Sequence, residues 1–154
     1  MTQPATIHDT FVIERRYAKP PARVFAALGD PALKRRWYAE AAERFDMDFR
    51  EGGREYTLSK MGADTPFPGV ALISDAVYQD IVPGRRVVMT QTMSLGDRHI
   101  SSALLTFEVV AEGEGATLVC THQGAFYEGA DGPPMRKGGW EALLARLDRE
   151  MVAA

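Results

Sequence analysis

A single cysteine in 154 residues rules out an intrachain disulfide, so no covalent staple holds this fold together. Cys120 and His122 stand two apart, but two ligands without a third do not make a zinc site, and no Cys/His cluster has the required spacing; no metal is expected. No stretch approaches ~18 uninterrupted apolar residues, which excludes a membrane-spanning helix. The opening MTQPATIHDT has neither the basic start nor the apolar core of a secretory signal, so the chain reads as cytoplasmic. Net charge is also scarce. At −3, no overall field draws the protein to nucleic acid or to an anionic membrane, and the run Lys34-Arg35-Arg36 reads as a solvated helix face. There is no G-x-S-x-G and no evident Ser/His/Asp set. Gly52-Gly53 lacks the strand-to-helix context of a phosphate loop. No motif calls for a cofactor, and an enzymatic reading has only a cavity to rest on.

What is present is a composition of 45% hydrophobic and 25% charged residues, in a length that suits one domain over residues 1–154 with a full core. The segment TFVIERRY, from Thr10, is rich in β-branched and aromatic residues and predicts an opening strand. Pro20-Pro21 then starts a helix with an apolar edge of Val24, Phe25 and Leu28, and Gly29 is placed to stop it. Asp30 as N-cap and Pro31 as first residue open a second short helix, with Leu33 and Trp37 on one face. Phe45, Met47 and Phe49 alternate with Asp46, Asp48 and Arg50 into a hairpin that turns at Gly52-Gly53 toward REYTLSK. After a loop from Met61 to Gly69, the segments VALISDAVYQDI, RRVVMTQTM, ISSALLTFEVV and ATLVCTHQGAF predict four more strands. Their short separators favour antiparallel neighbours.

The chain closes on an amphipathic helix. Trp140, Leu143, Leu144, Leu147 and Met151 form one stripe at a 3.6-residue period, and from Met135 to Val152 the helix would run roughly 27 Å. The class is therefore α+β: a long antiparallel sheet of about seven strands, curled by its twist, whose hollow is filled by the only helix long enough to fill it.

Five segments carry a resemblance: KPPARVFAALGDPALKRRWY from Lys19, DFREGGREY from Asp48, DIVPGRRVVMTQ from Asp80, GATLVCTHQGAF from Gly115 and GGWEALLARL from Gly138. In this order, over nearly the whole chain, they resemble the START-like (SRPBCC) superfamily, in the branch related to the activator of the ninety-kilodalton heat-shock chaperone's ATPase. The resemblance implies a helix-grip fold in which a curved sheet grips the C-terminal helix and leaves a hydrophobic cavity between them. Relatives hold small hydrophobic molecules there, act as polyketide cyclases or dehydratases, or regulate protein partners. The eukaryotic chaperone activators carry a further N-terminal domain for which this chain has no room. The expected function is binding of a small hydrophobic or aromatic ligand; a cyclase-like enzyme using the same cavity and a protein-binding module stand as alternatives, for a monomer or a homodimer.

Strict alternation puts Val87, Met89, Gln91 and Met93 on one face, with Ala103, Leu105, Phe107 and Val109, and with Leu118, Cys120, His122 and Phe126. Threonines and Glu108 between them suit water, so these faces are assigned to the concave side. The expected ligand contacts are Phe49, Met89, Gln91, Met93, Leu105, Phe107, Cys120, His122 and Phe126 from the sheet side, with Trp140, Leu144 and Leu147 from the helix. Trp37 and Tyr38 are placed to guard the mouth, Phe67 between two prolines to anchor a lid, and His99 to sit on the rim. Gln91 and His122 are the polar groups that would orient a ligand, and His122 is the candidate proton carrier of the enzymatic alternative. Asp46 and Asp48, about 7 Å apart on one strand face, have a spacing compatible with acid/base work but alternate with phenylalanines as an exposed face would.

Overall fold

The computed structural model describes residues 5–153, so the first four residues of the opening segment and the last residue of the chain lie outside it. β1 (Ile7–Tyr17) buries Phe11, Ile13 and Tyr17. α1 (Pro21–Gly29) begins on Pro20 and buries Val24, Ala27 and Leu28, the edge that the spacing predicts. Gly29 ends it, though not as a left-handed cap, since its φ is not positive. A Cβ on Gly29 would lie 2.6 Å from the Phe49 ring, so glycine is required here for close approach rather than for backbone freedom.

Asp30 opens α2 (Pro31–Tyr38) as expected: its Oδ1 accepts from the Ala32 amide at 2.9 Å and the Leu33 amide at 3.3 Å. Asp30→Ala orphans both donors and is expected to cost about 1 kcal/mol in urea unfolding, whereas Asp30→Asn keeps the cap and most of the stability.

Six strands follow: β2 (Arg44–Met47), β3 (Arg54–Lys60), β4 (Ala71–Val82), β5 (Arg86–Leu95), β6 (Arg98–Glu112) and β7 (Gly115–Phe126). They pair antiparallel in the order β1-β7-β6-β5-β4-β3-β2, so the helical step carries the chain from one edge of the sheet to the other. Register aligns Phe11, His122, Leu105, Met89 and Tyr78 across five strands in one row of the inner face. Two irregularities, between Tyr78 and Asp80 and between Met93 and Ser94, interrupt the ladder on either side of β5, where a bulge bends and twists a sheet.

α3 (Pro133–Ala153) lies against that inner face with Trp140, Leu144, Leu147 and Met151 buried. The stripe read from the sequence thus belongs to one core with the strands, and the architecture is the α+β helix grip. The basic run departs from expectation. Arg35 and Arg36 are exposed, but Lys34 is 2% exposed because it stands three residues before Trp37 and shares that helix's buried side.

Candidate functional site: a cavity under the start of the last helix

The first turns of α3 do not fill the hollow beneath them. Gly139 supplies no side chain there, and a Cβ on it would meet nothing within 4 Å. The result is a cavity of about 570 Å³. Leu72, Gln91, Met93, Leu95 and Ile100 form its sheet wall; Met135, Arg136, Gly139, Trp140 and Leu143 form its helix wall. Tyr38 closes one end, Met61, Pro66 and Phe67 come from the β3–β4 loop, and residues 129–131 complete the rim. A volume of this size, with mostly apolar walls and a few polar groups, suits a small organic molecule. A larger hollow of about 720 Å³ lies on the opposite face of the sheet, between outward side chains such as Val77, Thr90, Leu104 and Gln123, and is an open trough rather than an enclosure.

The polar groups gather at the Tyr38 end. Gln91 Nε2 donates to Ser74 Oγ at 2.7 Å, and the Tyr38 hydroxyl reaches the same oxygen at 3.5 Å. Gln91 Oε1 and Thr57 Oγ1 are buried with no hydrogen-bond partner among the described residues. Behind Tyr38, Lys34 Nζ meets Glu55 Oε2 at 2.7 Å in a fully enclosed ion pair, and the Tyr78 hydroxyl donates to the same carboxylate oxygen. The ammonium also stands 4.8 Å above the Tyr38 ring. Burial, reinforced by the Glu55 charge, holds the hydroxyls of Tyr38 and Tyr78 far above the ordinary phenol range, so both remain protonated donors.

At the other end, the Arg136 guanidinium makes a two-pronged contact with Asp131, both bonds at 2.8 Å, donates to Ser101 Oγ at 2.9 Å and lies over the Phe126 ring. Its charge is matched and its fork is occupied.

Of the residues expected to contact a ligand, Tyr38, Phe67, Gln91, Met93 and Trp140 line the cavity. Trp37 does not guard a mouth: it is wholly buried, with its indole N–H donating to the Ala27 carbonyl at 2.9 Å. Phe49 packs edge-on against Phe25 and Tyr78, holding α1 to the sheet. Met89, Leu105, Phe107, Cys120, Phe126, Leu144 and Leu147 are buried and stand outside the cavity lining. Burial pushes the Cys120 thiol up to about 12, which leaves it un-ionised at neutral pH. His99 is exposed, 3.2 Å from Ser94 Oγ. Asp46 and Asp48 are exposed and paired with Arg44 and Arg50.

His122 is also apart from the cavity. Its ring is stacked between Phe11, with centroids 4.6 Å apart, and Phe126, at 5.8 Å, and neither nitrogen has a hydrogen-bond partner among the described residues. Burial first, and the Arg136 charge second, lower its pKa to about 4, so the imidazole is neutral near pH 7.

Missed by the sequence reading were Arg136, which stands four residues before Trp140 and therefore on its face, and the inward side of β3. Phe45 pairs with Thr57 and Met47 with Glu55, so Glu55 and Thr57 face the core while Tyr56 and Leu58 point the other way. Only pairing with β2 reveals this.

A curved antiparallel sheet gripping a terminal helix over a cavity defines a START-like protein. The family model for "Activator of Hsp90 ATPase homolog 1-like protein" matches residues 18–151, and the chain belongs to that family. Among solved structures, it is similar to an uncharacterized protein from Rhizobium leguminosarum (35% identity, 97% of each chain covered, TM-score 0.90). It is also similar to the Mll3558 protein from Rhizobium loti (39% identity, 96% of this chain and 99% of that one, TM-score 0.87). CalU16 from Micromonospora echinospora shares the fold at 21% identity (96% and 87% covered, TM-score 0.62). Among curated proteins none matches the chain in sequence. Among the described residues, no helix is long and apolar enough to cross a membrane.

Proposed function

We propose that the protein binds a small hydrophobic or aromatic molecule between the sheet and the start of α3, as a carrier, sensor or sequestering protein. The observation that carries this reading is the cavity of about 570 Å³ beneath the start of α3, where Gly139 brings no side chain, in a molecule whose inner face is otherwise packed. Apolar walls supply affinity by removing ligand surface from water, while Gln91 and Tyr38 offer the few polar atoms that fix an orientation. A cyclase-like reaction with His122 as proton carrier finds no support, because that ring is stacked in the core and away from the cavity lining.

The test fills the cavity without disturbing the core. Gly139→Phe places a ring where a Cβ has open space and removes a glycine from a helix interior, so the fold is expected to keep or gain stability. Wild-type protein should enhance the fluorescence of N-phenyl-1-naphthylamine, a neutral apolar probe, and Gly139→Phe should weaken that binding by about tenfold or more. Equal probe binding by both proteins would place the apolar site elsewhere.

A further inference from the structure

Resting on that reading, the polar end of the cavity specifies what kind of molecule it takes. We infer that the cavity selects an uncharged ligand whose polar end is a hydrogen-bond donor, a hydroxyl or an N–H, received by Gln91 Oε1, and that it discriminates against carboxylates.

Two independent accounts lead there. The first is charge. The two charged side chains that line the cavity, Asp131 and Arg136, are paired with each other through both prongs of the guanidinium, and Arg136's remaining bond goes to Ser101. The pair behind Tyr38, Lys34 and Glu55, also sums to zero. A carboxylate carried into this space would give up its hydration for walls whose cations already have partners, and a desolvated charge without a partner is strongly disfavoured.

The second account is hydrogen-bond capacity. The Tyr38 O–H and one of the two Gln91 Nε2 hydrogens converge on Ser74 Oγ. Gln91 Oε1, an atom that can only accept, is buried with no hydrogen-bond partner among the described residues. Buried polar atoms are normally satisfied, so an unpartnered acceptor in the wall of an apolar cavity marks where a donor belongs. Gln91 belongs to that wall, and its terminal amide torsion is soft, so a small turn brings Oε1 to a ligand without moving the strand. With the head at Gln91, an apolar body lies along Met93, Ile100, Trp140 and Leu143.

One ring system with four heads tests this: naphthalene, 2-naphthol, 2-methoxynaphthalene and 2-naphthoate, each titrated at neutral pH as a competitor of N-phenyl-1-naphthylamine. The naphthol is expected to compete about tenfold better than naphthalene or the methoxy ether, a difference of ~1.4 kcal/mol, and the naphthoate to compete worse than naphthalene. In Gln91→Leu, the ratio of naphthol to naphthalene affinity should fall to about one. Competition by naphthalene with no advantage for the naphthol, or with the naphthoate tightest, overturns the donor rule while the cavity reading stands. Failure of the probe and of all four compounds to bind overturns the cavity reading and this inference with it. The wild-type series alone decides among these outcomes, and the variant assigns the effect to Gln91.

Discussion

Lys34→Met is expected to lower the unfolding free energy by about 3–5 kcal/mol, because it leaves the Glu55 carboxylate enclosed without its cation. Both side chains are within a few per cent of full burial and meet at 2.7 Å. Against a total stability of about 5–15 kcal/mol for an ordinary domain, such a loss moves the urea midpoint far below that of the wild type. The double variant Lys34→Met/Glu55→Gln should recover most of it, since both charges are then gone and an amide oxygen remains for the Tyr78 hydroxyl to donate to. The same pair fixes the site. Lys34 and Tyr38 are four apart on α2, so the ion pair holds the helix turn that presents Tyr38 to the cavity, and probe affinity should fall along with stability in the single variant. A single variant that loses less than about 1 kcal/mol would mean that water reaches the pair and that it anchors nothing.

This pair also marks where reading the sequence stops. The element order, the antiparallel pairing of neighbours and the stripe on α3 follow from local signals: period, prolines, and glycines at turns. Asp30 could be read as a cap because its role involves only the next three residues. Glu55 could not. In REYTLSK the aromatic and aliphatic positions are Tyr56 and Leu58, so alternation by itself turns them inward; register with β2 does the opposite and puts Glu55 and Thr57 in the core. Lys34 was misread for a related reason, since a charge run suggests solvent and only its partner Glu55 on the inner side of β3 explains a buried ammonium. The cavity was legible as an expectation of the fold but not in its position. Alternation correctly identified the inner face, yet most of that face is filled, and the open part is set by Gly139 on α3 and by the strand ends near Met93. Side-chain direction can be read from a strand; the volume left between two elements cannot.

The second large effect concerns acid. An imidazole held to a pKa of about 4 in the folded protein, against about 6.5 in an unfolded chain, makes the unfolded state the better proton binder between those values. The contribution of neutral His122 is therefore fully present above about pH 6.5, is lost progressively as pH falls through the window, and changes no further below about pH 4. At ~1.4 kcal/mol per pH unit, the loss amounts to about 3 kcal/mol. His122→Phe isolates it. A phenyl ring can take the stack between Phe11 and Phe126 and brings no unpartnered nitrogen into the core, so the variant should be at least as stable as wild type at pH 7. Carboxylates elsewhere titrate equally in both proteins, and the difference between their unfolding free energies cancels them. That difference should widen in favour of the variant from pH 6.5 down to about 4 and then level off. Parallel profiles would show that the folded protein protonates His122 as readily as the unfolded chain does. The ring would then have a route to water that its place between two phenylalanines denies it.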